Sequence, residues 1–135
     1  MSYQFMSSNP RPSDMNELND CAVRATSIAT ELDYKAVHSV FAKHGRKPRK
    51  GTYIATMMAV AKELNKDSTF ISYLGTRSCA SYAPTLSKFI KDNPTGHWVI
   101  CRRNHAFAVK DGVVYDAHKS QAGSRCRVLY AIKVK

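Results

Sequence analysis

The chain has 135 residues, 44% of them hydrophobic, which suits one folded domain with its own core and excludes a disordered tail. No apolar run approaches the ~20 residues of a membrane-spanning helix, so no membrane partner is expected. Lysine and arginine number 21 against 10 acidic residues, and a net charge of +11 attracts anionic partners such as nucleic acid or an acidic protein surface.

The first fourteen residues are polar, carry Pro10 and Pro12 and lack the apolar core of a targeting peptide. They read as a flexible arm on a single domain over residues 1–135. A helix is expected from Cys21 to about Glu31, capped by Asn19 or Asp20, with Ala22, Ala25, Ile28, Ala29 and Leu32 at helical spacing. Its small residues suit a buried helix packed closely against another layer. Asp33 caps a second helix, Tyr34 to Lys43, which Gly45 stops. The stretch from His44 to Gly51 holds Arg46, Lys47, Arg49 and Lys50 with one proline and two glycines, so it reads as an exposed basic loop that can bind an anionic partner. Thr52 caps a third helix, about Tyr53 to Leu64, with Met57 and Met58 on its apolar stripe. Ser68 to Leu74 reads as a short strand, Cys79 falls in a loop, and a short helix with Leu86, Phe89 and Ile90 facing inward follows Pro84. His38 and His44 read as surface residues.

After Gly96 the period changes from helix to strand. His97–Arg102, His105–Lys110, Val113–Ala117 and Cys126–Val134 read as strands, His97 and Trp98 as sheet-edge residues, and Cys101 and Cys126 as packing residues. Helices first and an antiparallel meander second make an α+β fold. The four cysteines form no C-x-x-C pair and no zinc spacing, so they are read as reduced, the compartment as cytoplasmic, and no metal is expected.

Two motifs carry chemistry. In Asn19-Asp20-Cys21-Ala22, polar cap-forming residues run straight into a cysteine that opens a helix. A thiol there faces unpaired N–H groups and the positive end of the helix dipole, which lowers its pKa from ~8.5. In His105-Ala106-Phe107-Ala108-Val109-Lys110-Asp111-Gly112, a strand ends in a strong two-residue hairpin signal. If Asp111 and Gly112 form the turn, Lys110 pairs with Val113, Phe107 with Asp116, and His105 with His118. His105 and Asp116 then share a face as diagonal neighbours, ~7–8 Å apart at the backbone and within side-chain reach. Asp116 can orient the His105 imidazole, and a slip in register would make His118 the rival. Cysteine, histidine and acid in that order form the pattern of an activated nucleophile.

On these two motifs, over about residues 16–117, the chain resembles the papain-like cysteine peptidases, and within them the small bacteriocin-processing and phage-encoded branch. The resemblance implies a papain-like domain with the nucleophile at the start of the central helix and an antiparallel sheet after it. It implies Cys21 as nucleophile, His105 as general base and acid, Asp116 as orienting residue, a thioacyl-enzyme intermediate, no cofactor, and a protein or peptide substrate. Such enzymes place a glutamine a few residues before the cysteine to bind the oxyanion, and none stands there. Asn16 and Asn19 are the available side-chain amides, with Asn16 preferred because Asn19 is a candidate helix cap, and the Cys21 backbone N–H is the other donor. The protein is expected to act as a monomeric cysteine-dependent hydrolase on an acidic substrate. The alternative is a basic binding protein, for nucleic acid or an acidic host protein, with a vestigial triad.

Overall fold

The computed structural model describes residues 4–74 and 83–135, and Cys79 lies outside them. Among the described residues there are four α-helices, α1 (Cys21–Thr30), α2 (Tyr34–Lys43), α3 (Ile54–Leu64) and α4 (Leu86–Asp92). Six strands join them: β1 (Gln4–Ser7), β2 (Thr69–Ser72), β3 (His97–Arg102), β4 (His105–Lys110), β5 (Val113–Asp116) and β6 (Tyr130–Lys133). The strands form one mixed sheet in the order β1-β5-β4-β3-β6-β2, which makes the fold α+β.

The sheet is covered on both faces, which is why β3 and β4 read as nearly unbroken apolar runs. On one face Val99, Cys101, Ala106, Ala108 and Ile132 pack with Val23, Ala25 and Ala29 of α1, Val37 and Phe41 of α2 and Val60 of α3. On the other, Trp98, Ile100, Phe107, Val109 and Val114 pack with Leu86, Phe89 and Ile90 of α4. Alanines meet across the α1–β4 contact, at Ala25 and Ala29 on the helix and Ala106 and Ala108 on the strand, so the helix lies close to the centre of the sheet.

The Asp111–Gly112 turn sets the register of β4 and β5, with Lys110 opposite Val113, Val109 opposite Val114 and Ala108 opposite Tyr115. Both turn residues have positive φ, 47° at Asp111 and 81° at Gly112, as a two-residue hairpin of this hand requires. Gly45 stops α2 at φ 102°, and the N–H groups of Gly45 and Arg46 close the last turn on the carbonyls of Ala42 and Phe41.

Three local expectations change. Residues 4–7 are not a loose arm: β1 pairs in parallel with β5, Gln4 opposite Val113 to Ser7 opposite Asp116. Thr52 does not cap α3; Tyr53 holds that position without a side-chain cap. The last strand covers four residues and not nine. Before it, Val128 N–H donates to the Pro84 carbonyl and Leu129 N–H to that of Cys101, so the chain turns from the start of α4 into the sheet.

Candidate active site

The turn that delivers Cys21 to the start of α1 is held by buried charge. Asp20 occupies the N-cap position but makes no side-chain cap. Its carboxylate accepts from Tyr34 Oη at 2.7 Å and Arg11 Nη1 at 3.1 Å and pairs with Arg24 Nε at 3.3 Å. Asn19 does not cap either: its φ is 53°, and its side-chain amide donates to the Arg49 carbonyl at 3.3 Å.

Two residues further back, Glu17 is buried and receives both terminal nitrogens of Arg46, at 2.9 and 3.0 Å, together with the Arg49 N–H at 2.9 Å. His38 Nε2 also lies against it. The hydrogen bond from Arg46 is the largest influence on Glu17 and, helped by His38 and Arg49, outweighs burial to hold the carboxyl down to about 2. Arg46 is therefore not a free anion-binding group on an exposed loop. It is 7% exposed, and it ties the loop to the segment leading into Cys21. Nothing in the 44–51 stretch betrays this, because the acid that buries the arginine stands 29 residues earlier.

His105 is the first residue of β4, at the end of the sheet nearest the start of α1. Its Nε2 lies 2.6 Å from Asp116 Oδ2, and since a carboxylate only accepts, Nε2 is the donor. The other carboxylate oxygen accepts the Ala117 N–H at 2.7 Å, so Asp116, itself 5% exposed, is held on both sides. Nδ1 remains for Cys21. His118 is exposed and Asp116 pairs with His105, as the hairpin register requires.

The thiol and the imidazole shift each other in opposite directions. Burial alone pushes the Cys21 thiol up, but hydrogen bonding and charge from His105, the Ala106 N–H and the charge of Arg24 together bring it below the ordinary 9.0. Burial alone pushes His105 down, but the bond to Asp116 and the interaction with Cys21 raise it to about 9. The neighbours that lower the thiol lie on β4 and on α1 itself. Cys101, on the same cavity wall, behaves oppositely: burial first and the nearby Cys21 second push it up to about 12.

Cys21 and His105 open into a cavity of about 530 Å³ whose walls include Asn19, Tyr53, Met57 and Tyr130. Asn19 is on the wall and Asn16 is not, which reverses the order expected of the two asparagines. The Asn16 side-chain oxygen is instead bonded to the Arg49 guanidinium. Sequence reasoning also missed Arg102, at the end of β3, and Arg103 and Asn104, the β3–β4 turn beside His105, where Asn104 takes the positive φ of 60° that asparagine tolerates. The remaining histidines serve elsewhere. His44 bonds Glu63 at 2.9 Å, and His97 Nδ1 lies 2.9 Å from the Ala29 carbonyl. Trp98 is buried edge-on to Phe89. Among the described residues no group of histidine, cysteine, aspartate or glutamate could hold a metal ion, and no helix is long and apolar enough to cross a membrane.

Comparison of the chain with known proteins finds no matching family model, no matching curated protein and no matching solved structure.

Proposed function

We propose that the protein is a cysteine-dependent amide hydrolase of papain-like arrangement, acting on a peptide or protein amide. The observation that carries the reading is the 2.6 Å contact of His105 Nε2 with Asp116, which leaves Nδ1 to a Cys21 thiol whose pKa the histidine lowers. A thiolate at a helix start, a histidine on a strand and an acid on the next strand also match the chain order of the papain-like resemblance.

In this reading the Cys21 proton rests on His105 Nδ1. The sulfur attacks the substrate carbonyl, and the imidazolium returns the proton to the leaving amine as the C–N bond breaks. Water, deprotonated by the same imidazole, then attacks the thioester, and the acid product departs with the thiol restored. Asp116 keeps Nε2 protonated and stabilises the imidazolium. The developing oxyanion is served by the Cys21 backbone N–H, one of the first in α1 and without an intrahelical acceptor; Asn19 lines the same cavity, but its side-chain amide donates to the Arg49 carbonyl.

The test is iodoacetamide alkylation against pH with peptide mapping, joined to turnover of a p-nitrophenyl ester, on the wild type, Cys21→Ser and His105→Ala. Expected are fastest labelling at Cys21 with a midpoint below 9.0, a burst of nitrophenol, and loss of turnover in both variants. A Cys21 that titrates like a free thiol, with no burst, would remove the reading.

A further inference from the structure

The cavity that holds Cys21 adjoins a second of about 600 Å³, and the two share the strip Gly51, Thr52 and Tyr53. The second cavity carries Lys47 and Lys50, and the first carries Arg102, at the end of β3, and Arg103, on the turn beside His105. Among the described residues no aspartate or glutamate lines either one. Arg46, which also reaches the second cavity, is neutralised by Glu17. Among the described residues Lys47, Lys50 and Arg103 meet no carboxylate, and neither does Arg102, whose guanidinium bonds the neutral Gln121 at 3.3 Å and lies near Cys126. The acids that could have balanced them are used elsewhere: Glu63 pairs with Lys43, Glu31 with Lys135 and Asp92 with Lys88.

Four cations of one sign in two connected concavities repel one another, and a recess concentrates their field on whatever enters. Tyr53, on the shared strip, is 84% exposed, so a bare aromatic face lies where the two cavities join. We infer that the substrate is an acidic peptide segment, with carboxylates set against Lys47 and Lys50 in the second cavity and against Arg102 and Arg103 beside Cys21. The apolar stems of its side chains lie over Tyr53. The inference rests on the hydrolase reading for its choice of a peptide over a nucleic acid, since the scissile bond must be one that a thiolate cleaves.

The binding step is testable apart from the chemistry. A fluorescein-labelled peptide alternating glutamate with glycine, and its glutamine counterpart, are titrated by fluorescence anisotropy into the full-length Cys21→Ala protein. Competition with oligothymidylate and a salt series accompany the titration. Expected is binding of the glutamate peptide alone, weakening with salt over a screening length of about 8 Å at physiological ionic strength. Lys47→Gln/Lys50→Gln and Arg102→Gln/Arg103→Gln should each weaken it roughly 3- to 20-fold. Lys88→Gln/Lys91→Gln, which removes equal charge on α4, should leave it unchanged. Equal binding of the glutamine peptide, equal loss in the α4 variant, or binding of oligothymidylate without the glutamate peptide overturns the inference. Iodoacetamide labelling of the wild type separates the two readings. Peptide binding with an inert Cys21 keeps the acidic cleft and removes the hydrolase. A reactive Cys21 that the glutamate peptide neither binds near nor protects keeps the hydrolase and removes the acidic cleft.

Discussion

His105 Nε2 and Asp116 Oδ2 meet at 2.6 Å although the two residues are not directly opposite in the hairpin. With Lys110 against Val113, His105 falls opposite position 118, and Asp116 reaches it diagonally. The contact thus depends on a two-residue turn at Asp111–Gly112. A one-residue slip would send Asp116 to the other face of the sheet and dissolve it.

Asp116→Asn should lower the His105 pKa from about 9, because the hydrogen bond to the acid is the largest influence that raises it, with the charge of the acid adding to it. The amide keeps the shape but loses the charge. Turnover should fall by about 10²–10⁴, the usual worth of a positioned acid–base group. The folded pKa lies above the ordinary 6.5, so the stabilisation from His105 is complete below about 6.5. It is lost as pH rises through about 9 in the wild type, and at lower pH in the variant. Titration of the His105 ring protons by NMR reads the shift directly, and a pKa still near 9 in the variant would show that Asp116 is not its partner.

The three described cysteines should separate sharply in reactivity. Cys101 at about 12 carries a thiolate fraction of roughly 10⁻⁵ at pH 7, and it is 7% exposed. Cys126 is also raised by burial, whereas Cys21 is lowered. Limited iodoacetamide should therefore label Cys21 at least ~10²-fold faster than the other two. In His105→Ala the Cys21 midpoint should rise, since burial then acts with only Ala106 and Arg24 opposing it. Quantitative peptide mapping over pH decides the point. Comparable labelling of Cys21 and Cys101 would mean that the pair does not form.

Much of this arrangement is legible in the sequence because it is local. Asp33 and Gly45 bound α2 through their own side-chain and backbone chemistry, and Asp111–Gly112 fixes the β4–β5 register by turn geometry alone. What is not legible depends on partners far along the chain. Arg46 stands among basic residues, two glycines and a proline, the usual signature of a solvated loop, and Glu17, far back in the chain, turns it inward. Asp20 looks like a cap and is drawn instead into hydrogen bonds with Tyr34 and Arg11 and an ion pair with Arg24. The order β3-β6-β2 is a matter of which edges remain open once the hairpins have formed, and no periodicity within a strand reports that.

Arg46→Met should destabilise the protein by about 3–5 kcal/mol, because it leaves the Glu17 carboxylate buried without its main partner. The double variant Glu17→Gln/Arg46→Met should recover much of that loss. In the wild type the folded Glu17 pKa of about 2 lies well below its ordinary 4.5. Its contribution, about 3 kcal/mol, is therefore present above pH ~4.5 and lost as pH falls toward 2. Urea unfolding at pH 7 and pH 3 measures both effects. An Arg46→Met protein as stable as the wild type at pH 7 would mean that the pair does not hold the loop to the segment before Cys21.

Removing residues 1–8 should loosen the acid of the site without unfolding the domain. β1 pairs in parallel with β5 over four residues, and beyond it the Ser8 N–H donates to the carbonyl of Asp116 at 2.8 Å. The Ser7 hydroxyl donates to the Ala117 carbonyl at 3.3 Å. The N-terminal strand thus braces the backbone that carries the partner of His105, while neither core cluster depends on it beyond the partly buried Phe5. The expected cost is about 2–3 kcal/mol, from a few backbone hydrogen bonds at ~1 kcal/mol each. Hydrogen exchange at residues 113–117 should quicken, while β3 and α1 keep their protection. Ester turnover should fall through a lower His105 pKa, visible as an alkaline limb moved to lower pH with the Cys21 limb in place. If exchange at 113–117 is unchanged, β1 is an ornament of the sheet edge, and Asp116 is held by the hairpin and the Ala117 N–H alone.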